Sequence, residues 1–184
     1  MLRHSVLAVL LAVGAQAASA DTIVQWNFNS VVADASTGTG STLTAVGNGT
    51  ASLLGVTGSF ASGTANGGSS DPAASDNSGW QTTGYAAQGS GNLTRGVQFT
   101  LSTAGYENIV FSYDLRHSNT SSRYETVQYS IDGINFTSVA TFDGNAGDTW
   151  FKNRSVDLSS FADVADASLL TFLVVAAFAP ESTA

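Results

Sequence analysis

Four groups of residues in this sequence have the types and spacing that chemistry requires. Asp143-Gly144-Asn145-Ala146-Gly147-Asp148 places three oxygen donors, Asp143, Asn145 and Asp148, in one short loop. Calcium takes oxygen ligands from carboxylates, amides and main-chain carbonyls, so a structural calcium ion is the one cofactor the sequence suggests. The spacing departs from the EF-hand pattern, because Gly147 stands at the third ligand position, and an acidic turn without metal is the plainer alternative. Trp80 and Tyr85 form the second group, in the polar stretch 78–89 (SGWQTTGYAAQG). Exposed rings cover the apolar faces of a neutral sugar while amides meet its hydroxyls, which makes these two the ligand-binding candidates. Trp26, Tyr113 and Tyr129 fall at inward-facing positions of apparent strands and read as core.

The third group is acidic. Glycoside hydrolysis needs two carboxylates a defined distance apart across a cleft. Glu125 and Asp114, on what read as neighbouring strands, are the pair to weigh, against the commoner solvated or turn-forming acid. The fourth is His117, the single histidine beyond the first four residues. A Ser-His-Asp triad is allowed by composition, but no G-x-S-x-G elbow presents a nucleophile. His117 ends Asp114-Leu115-Arg116-His117 and reads as a surface histidine in a polar loop. No catalytic residue is assigned.

Composition closes other routes. There is no cysteine, which removes disulfides, thiol nucleophiles and thiolate metal sites together. No HExxH pattern occurs, and the one lysine, Lys152, follows no phosphate-cradling glycine loop. The formal charge is −8, and between Asp21 and Arg95 there is neither Lys nor Arg. Such a chain cannot neutralise a run of phosphates there, so nucleic acid is not an expected partner, nor is an anionic membrane surface.

These groups sit in a chain with a clear address. Arg3 and His4 precede the apolar run Val6–Val13, and Ala18 and Ala20 occupy the positions a signal peptidase reads. Residues 1–20 therefore read as a secretory signal, and residues 21–184 as a single domain starting at Asp21. No later segment is long and apolar enough to span a bilayer. Losing Arg3 takes the charge from −8 to about −9. For an exported chain the lack of cysteine is informative, because that compartment permits disulfides. The domain rests on its apolar core, with at most a bound ion to help.

The elements that must position the candidate residues are strands. Val24, Trp26 and Phe28 alternate with polar residues over roughly 22–29. The same period of two runs through Val97–Leu101, Ile109–Leu115, Val127–Ile131 and Leu170–Ala176, marking strands with one buried face. Only Ser159–Val164 suggests a helical turn. Asp132-Gly133, Ala104-Gly105 and Asp143-Gly144-Asn145 supply turn chemistry. Residues 30–79 are dominated by Gly, Ser, Thr and Ala; they read as long surface loops around small-residue strands near 42–46 and 51–56, with a disordered linker as the alternative. Short strands separated by turns predict an all-β antiparallel sandwich.

Several segments also carry a resemblance: Ile23–Asn29 (IVQWNFN), Gly79–Thr83 (GWQTT), Asn108–Ser122, Gln128–Gly133 (QYSIDG), Asp157–Ser160 (DLSS) and Ala176–Pro180 (AAFAP). Together they resemble secreted bacterial proteins that usually end in a PEP-CTERM sorting signal, most specifically over 106–133. The resemblance implies a jelly-roll-like sandwich, a Gram-negative exported setting and, for most members, no assigned activity, so no site residue carries over. Those proteins continue past the Phe-Ala-Pro step through a further strand and the sorting tail. The resemblance therefore implies a sandwich without its last strand, with Leu169–Phe178 beside an open edge.

The reading is a secreted, extracellular or cell-envelope protein that acts as a non-catalytic binding module, with extracellular polysaccharide the expected ligand. A structural biofilm or envelope component without a small ligand is the alternative, and a carboxylate-dependent glycoside hydrolase the third.

Overall fold

The most apolar segment of the chain, Leu170–Ala177 (LTFLVVAA), lies in the middle of the main sheet, buried on both faces. The computed structural model describes residues 20–180 apart from 74, 88, 145 and 146. Among the described residues there are nine strands and no α-helix: β1 (Gly49–Leu54), β2 (Thr57–Ser62), β3 (Ser78–Thr83), β4 (Gly96–Leu101), β5 (Val110–His117), β6 (Tyr124–Ser130), β7 (Thr137–Asp143), β8 (Thr149–Asp157) and β9 (Leu170–Ala177). A 3-10 turn at Ala162–Val164 answers the helical turn expected at Ser159–Val164, and a second lies at Ala65–Gly67.

Five strands form one antiparallel sheet in the order β1-β4-β9-β6-β7. Its register aligns apolar residues across the three central strands: Phe172 of β9 faces Phe99 of β4 on one side and Tyr129 of β6 on the other, and Val174 faces Val97 and Val127. The two-stranded sheets β2–β3 and β5–β8 make the other layer. Phe111 of β5 stacks on Phe172 with ring centroids 4.4 Å apart, and Tyr113 meets Phe142 of β7 edge-on at 6.2 Å. Gly79 of β3 lies against the Trp150 ring of β8. The sheets do not close into a barrel, and the molecule is an all-β antiparallel sandwich, as its turn and strand pattern predicts.

Particular expectations are corrected. Residues 22–29 do not form a ladder strand. Only Gln25 bridges to Val46, and Phe28 has a left-handed φ of 61° that breaks the extended run. Ile23, Trp26 and Phe28 nevertheless pack on the core, so the alternation reports burial without strand pairing. The expected strand at 42–46 is reduced to that same bridge, while 51–56 is realised as β1. Trp80 is not in a loop but within β3. β9 has no open edge, because β4 and β6 are hydrogen-bonded to its two sides. Asp114 and Glu125 do not lie on neighbouring strands: β5 belongs to one layer and β6 to the other. Among the described residues no helix is long and apolar enough to cross a membrane. The expected leader falls on residues 1–20, of which 1–19 lie outside the described residues.

Candidate functional site

The β3–β4 connection, the β5–β6 connection and the end of β9 enclose a cleft of about 520 Å³. Tyr85 and Tyr124 supply rings, Asn92 and Ser122 supply hydrogen-bonding groups, and Arg95 and Arg123 supply charge. Tyr85 follows directly on β3 and Gly84 and is 39 % exposed, its hydroxyl 2.7 Å from that of Thr82. Asn92 is fixed by accepting a 2.7 Å hydrogen bond from the Phe178 amide. Arg95 Nη1 donates to the carbonyls of Gly55 and Gly84 at 2.6 and 2.7 Å, which anchors the strand ends around the cleft. Ser122 donates to Ala177 at 3.0 Å and so joins the β5–β6 connection to β9.

The charge of this cleft opposes that of the molecule. No Asp or Glu stands among its described lining residues, in a chain with 14 acids. Elsewhere the bases are engaged: Arg116 pairs with Asp148 at 2.7 Å, Arg154 pairs with Glu125, and Lys152 donates to the Gly67 carbonyl at 2.9 Å. Arg95 and Arg123 have no carboxylate partner among the described residues, and both line the cleft.

Behind the β5–β6 wall lies a buried polar cluster. His117 Nε2 is 2.8 Å from Glu125 Oε2, and His117 Nδ1 is 3.1 Å from the Ser121 hydroxyl. Tyr113 donates to Glu125 Oε1 at 3.2 Å, and Arg154 is ion-paired to that same oxygen. The guanidinium lies 4.1 Å from the ring centroid of Phe151 and donates to the Asp143 carbonyl at 2.7 Å. Burial pushes the His117 pKa down, and the nearby Arg154 charge adds to this. Neutral His117 carries its proton on Nε2, since a carboxylate only accepts, and Nδ1 takes the Ser121 hydroxyl proton. Burial likewise pushes the Tyr113 phenol up.

Hydroxyl, imidazole and carboxylate thus stand in the order of a proton relay. However, the Ser121 hydroxyl also reaches the Ser118 and Ser122 carbonyls at 3.0 and 3.2 Å, and Arg154 has claimed the carboxylate. The cluster locks the β5–β6 connection onto the sandwich. Gly144 is part of it, because a Cβ there would lie 2.5 Å from the His117 ring. The expectation of a surface His117 is therefore corrected: the residue is 5 % exposed, and its carboxylate partner crosses from the opposite layer.

The remaining expected site residues are dispersed. Trp80 is half-buried, pairs across the hairpin with Phe60 and packs tilted against Phe28 at 5.6 Å, outside the Tyr85 cleft. Asp148 gives both carboxylate oxygens to Arg116, at 2.7 and 2.8 Å, which holds its carboxyl below the usual range. Asp143 ends β7, and Asn145 lies outside the described residues. Among the described residues no three His, Asp or Glu side chains gather into a metal-binding group. Asp114 accepts hydrogen bonds from the Ser70 and Asn153 amides and so supports the β5–β8 bulge, where Asn153 has φ 54°. Asn92, Arg95, Arg123 and Tyr124 went unread because each looks ordinary alone; only the fold brings them together. No protein-family model matches the chain, and neither does any curated protein or solved structure.

Proposed function

We propose that this protein is an exported, non-catalytic binding module that holds extracellular polysaccharide in the cleft beside Tyr85. The observation that carries the reading is the convergence of an exposed ring with an amide, hydroxyls and two arginines in one concave surface. Flat rings suit the C–H faces of a sugar, and the polar groups suit its hydroxyls. Two arginines without a facing acid favour an acidic polysaccharide, one bearing uronate or sulfate groups, since guanidinium and carboxylate pair bidentately. The secretory leader read at residues 1–20 and the resemblance to secreted PEP-CTERM-associated proteins support a setting at the envelope or in the extracellular matrix.

The test is retention on immobilised polysaccharides, measured alongside thermal melting. Tyr85→Ala is expected to weaken retention at least about tenfold, equivalent to ~1.4 kcal/mol, with little change in Tm. Trp80→Ala removes a half-buried ring packed against Phe28 and is expected to lower stability by about 2–3 kcal/mol while leaving retention by the folded protein intact. Arg123→Ala should reduce retention on polygalacturonate and spare neutral dextran, an effect that added salt mimics. If wild-type protein is retained on none of these, the binding reading is overturned.

A further inference from the structure

Residues 34–39 and 76–78 meet away from the cleft, at a place with an unresolved demand. Asp76 is 6 % exposed, and its Oδ1 is enclosed without a hydrogen-bond donor. Its surroundings are otherwise well provided. The Ser78 amide donates to Asn29 Oδ1 at 3.0 Å, Asn77 donates to the Ser69 hydroxyl at 2.9 Å, and Asp71 accepts from Asn29 and from the Ala73 amide. A buried carboxylate oxygen that lacks a donor is unfavourable, and native structures rarely leave one without a counterpart.

A second carboxylate sharpens the demand. Asp34 lies close by, because the Thr39 hydroxyl donates to it at 2.6 Å while the Thr39 carbonyl accepts from Ser78, two residues after Asp76. Asp34 also accepts from the Ser36 amide at 2.9 Å, and these bonds hold its carboxyl below the usual range. An ionised carboxyl therefore stands near a second one that has an enclosed oxygen. The atoms around them are hard oxygens. The Thr39 and Ser36 carbonyls both converge on the Ser78 hydroxyl, at 2.6 and 3.5 Å, and the Thr39 hydroxyl lies on Asp34. No imidazole or sulfur takes part.

We infer that Asp34 and Asp76 bind a calcium ion that ties residues 34–39 to the start of β3. Calcium accepts irregular shells of six to eight oxygens, drawn from carboxylates, carbonyls, hydroxyls and water, whereas magnesium demands a near-octahedral set. Two carboxylates give a weak site, in the roughly 10⁻⁴–10⁻³ M range of extracellular modules. The location gives the ion work to do. Beyond the core packing of Ile23, Trp26 and Phe28, the segment from Asp21 to Ser41 is held by one bridge and a few side-chain bonds, and the chain has no cysteine with which to staple it. This site is separate from the Asp143–Asp148 loop, where Arg116 holds Asp148.

Calorimetric titration and melting of the secreted protein with CaCl₂, MgCl₂ and EGTA test it. One calcium per chain is expected, with a Tm rise of roughly 3–6 °C at tenfold excess over Kd and a smaller response to magnesium. Asp76→Asn removes a carboxylate oxygen with little change in shape and should abolish the calcium response. Asp34→Asn should abolish the response too, and Asp148→Asn should keep it. An unresponsive wild type overturns the inference. So does a response that survives both Asp76→Asn and Asp34→Asn, or one lost in Asp148→Asn alone.

Discussion

Three buried side chains, Glu125, His117 and Arg154, each less than about a tenth exposed, form one polar cluster. Removing one partner from such a cluster leaves a charge without compensation, whereas the intact set is nearly neutral in its effect. His117 makes this testable by pH. Its folded pKa is depressed below 6.5, so the folded state resists a proton that the unfolded state accepts. Below pH 6.5 the unfolded chain therefore binds more protons, and stability falls with pH until the folded pKa is reached. Tm is expected to be flat from pH 8 to 7 and to drop from pH 6.5 to 5, with a shallower drop in His117→Gln; an equal slope in the two proteins would show that another group titrates. The cluster was only partly legible: Glu125 shares the parity of Val127 and Tyr129, which the period of two marks as core, but Arg154 lies on β8, which the alternation did not reveal. What hid His117 was its polar sequel, Ser118-Asn119-Thr120, which looks like surface. The cleft residues other than Tyr85, and the Asp34–Asp76 pair, were illegible for another reason: they meet only through long-range packing.

At the scale of elements, the strands with one apolar face were readable, and those with broken periods were not. β7 and β8 escaped because bulges at Val127/Gln128 and Tyr113/Leu115 shift the register of their pairings, and because much of β7 faces solvent. The segment at 22–29 shows the converse, since period two describes side chains facing a core and is silent about hydrogen bonding. β2 was missed because Thr57-Gly58-Ser59 offers little apolar pattern. Small residues in strands can instead mark close backbone approach, as Gly96 does in β4. A Cβ there would lie 2.0 Å from the Val174 carbonyl oxygen and 2.8 Å from Val175 Cα, and backbone cannot move aside as a side chain can. Gly96→Ala is expected to cost about 1–3 kcal/mol or more by separating β4 from β9. Denaturant unfolding will read this as a lower midpoint at unchanged m, and a midpoint equal to wild type would mean that the two strands have slack.

The whole molecule combines an acidic surface with two arginines gathered at one cleft, and with a start that reads as a secretory leader. Protein recovered outside the cell is expected to have the intact mass of a chain beginning at Asp21, and retention of Met1 in that fraction would refute the leader. The position of β9 bears on how such a chain acquires its shape. Among the described residues β1 pairs only with β4 within the main sheet, and β7 only with β6; what unites these two ribbons is β9. Until β9 docks, the facing edges of β4 and β6 remain unsatisfied and the core around Phe172 has no floor. Closure of the main sheet thereby waits on one segment, which makes β9 the latch of the sandwich.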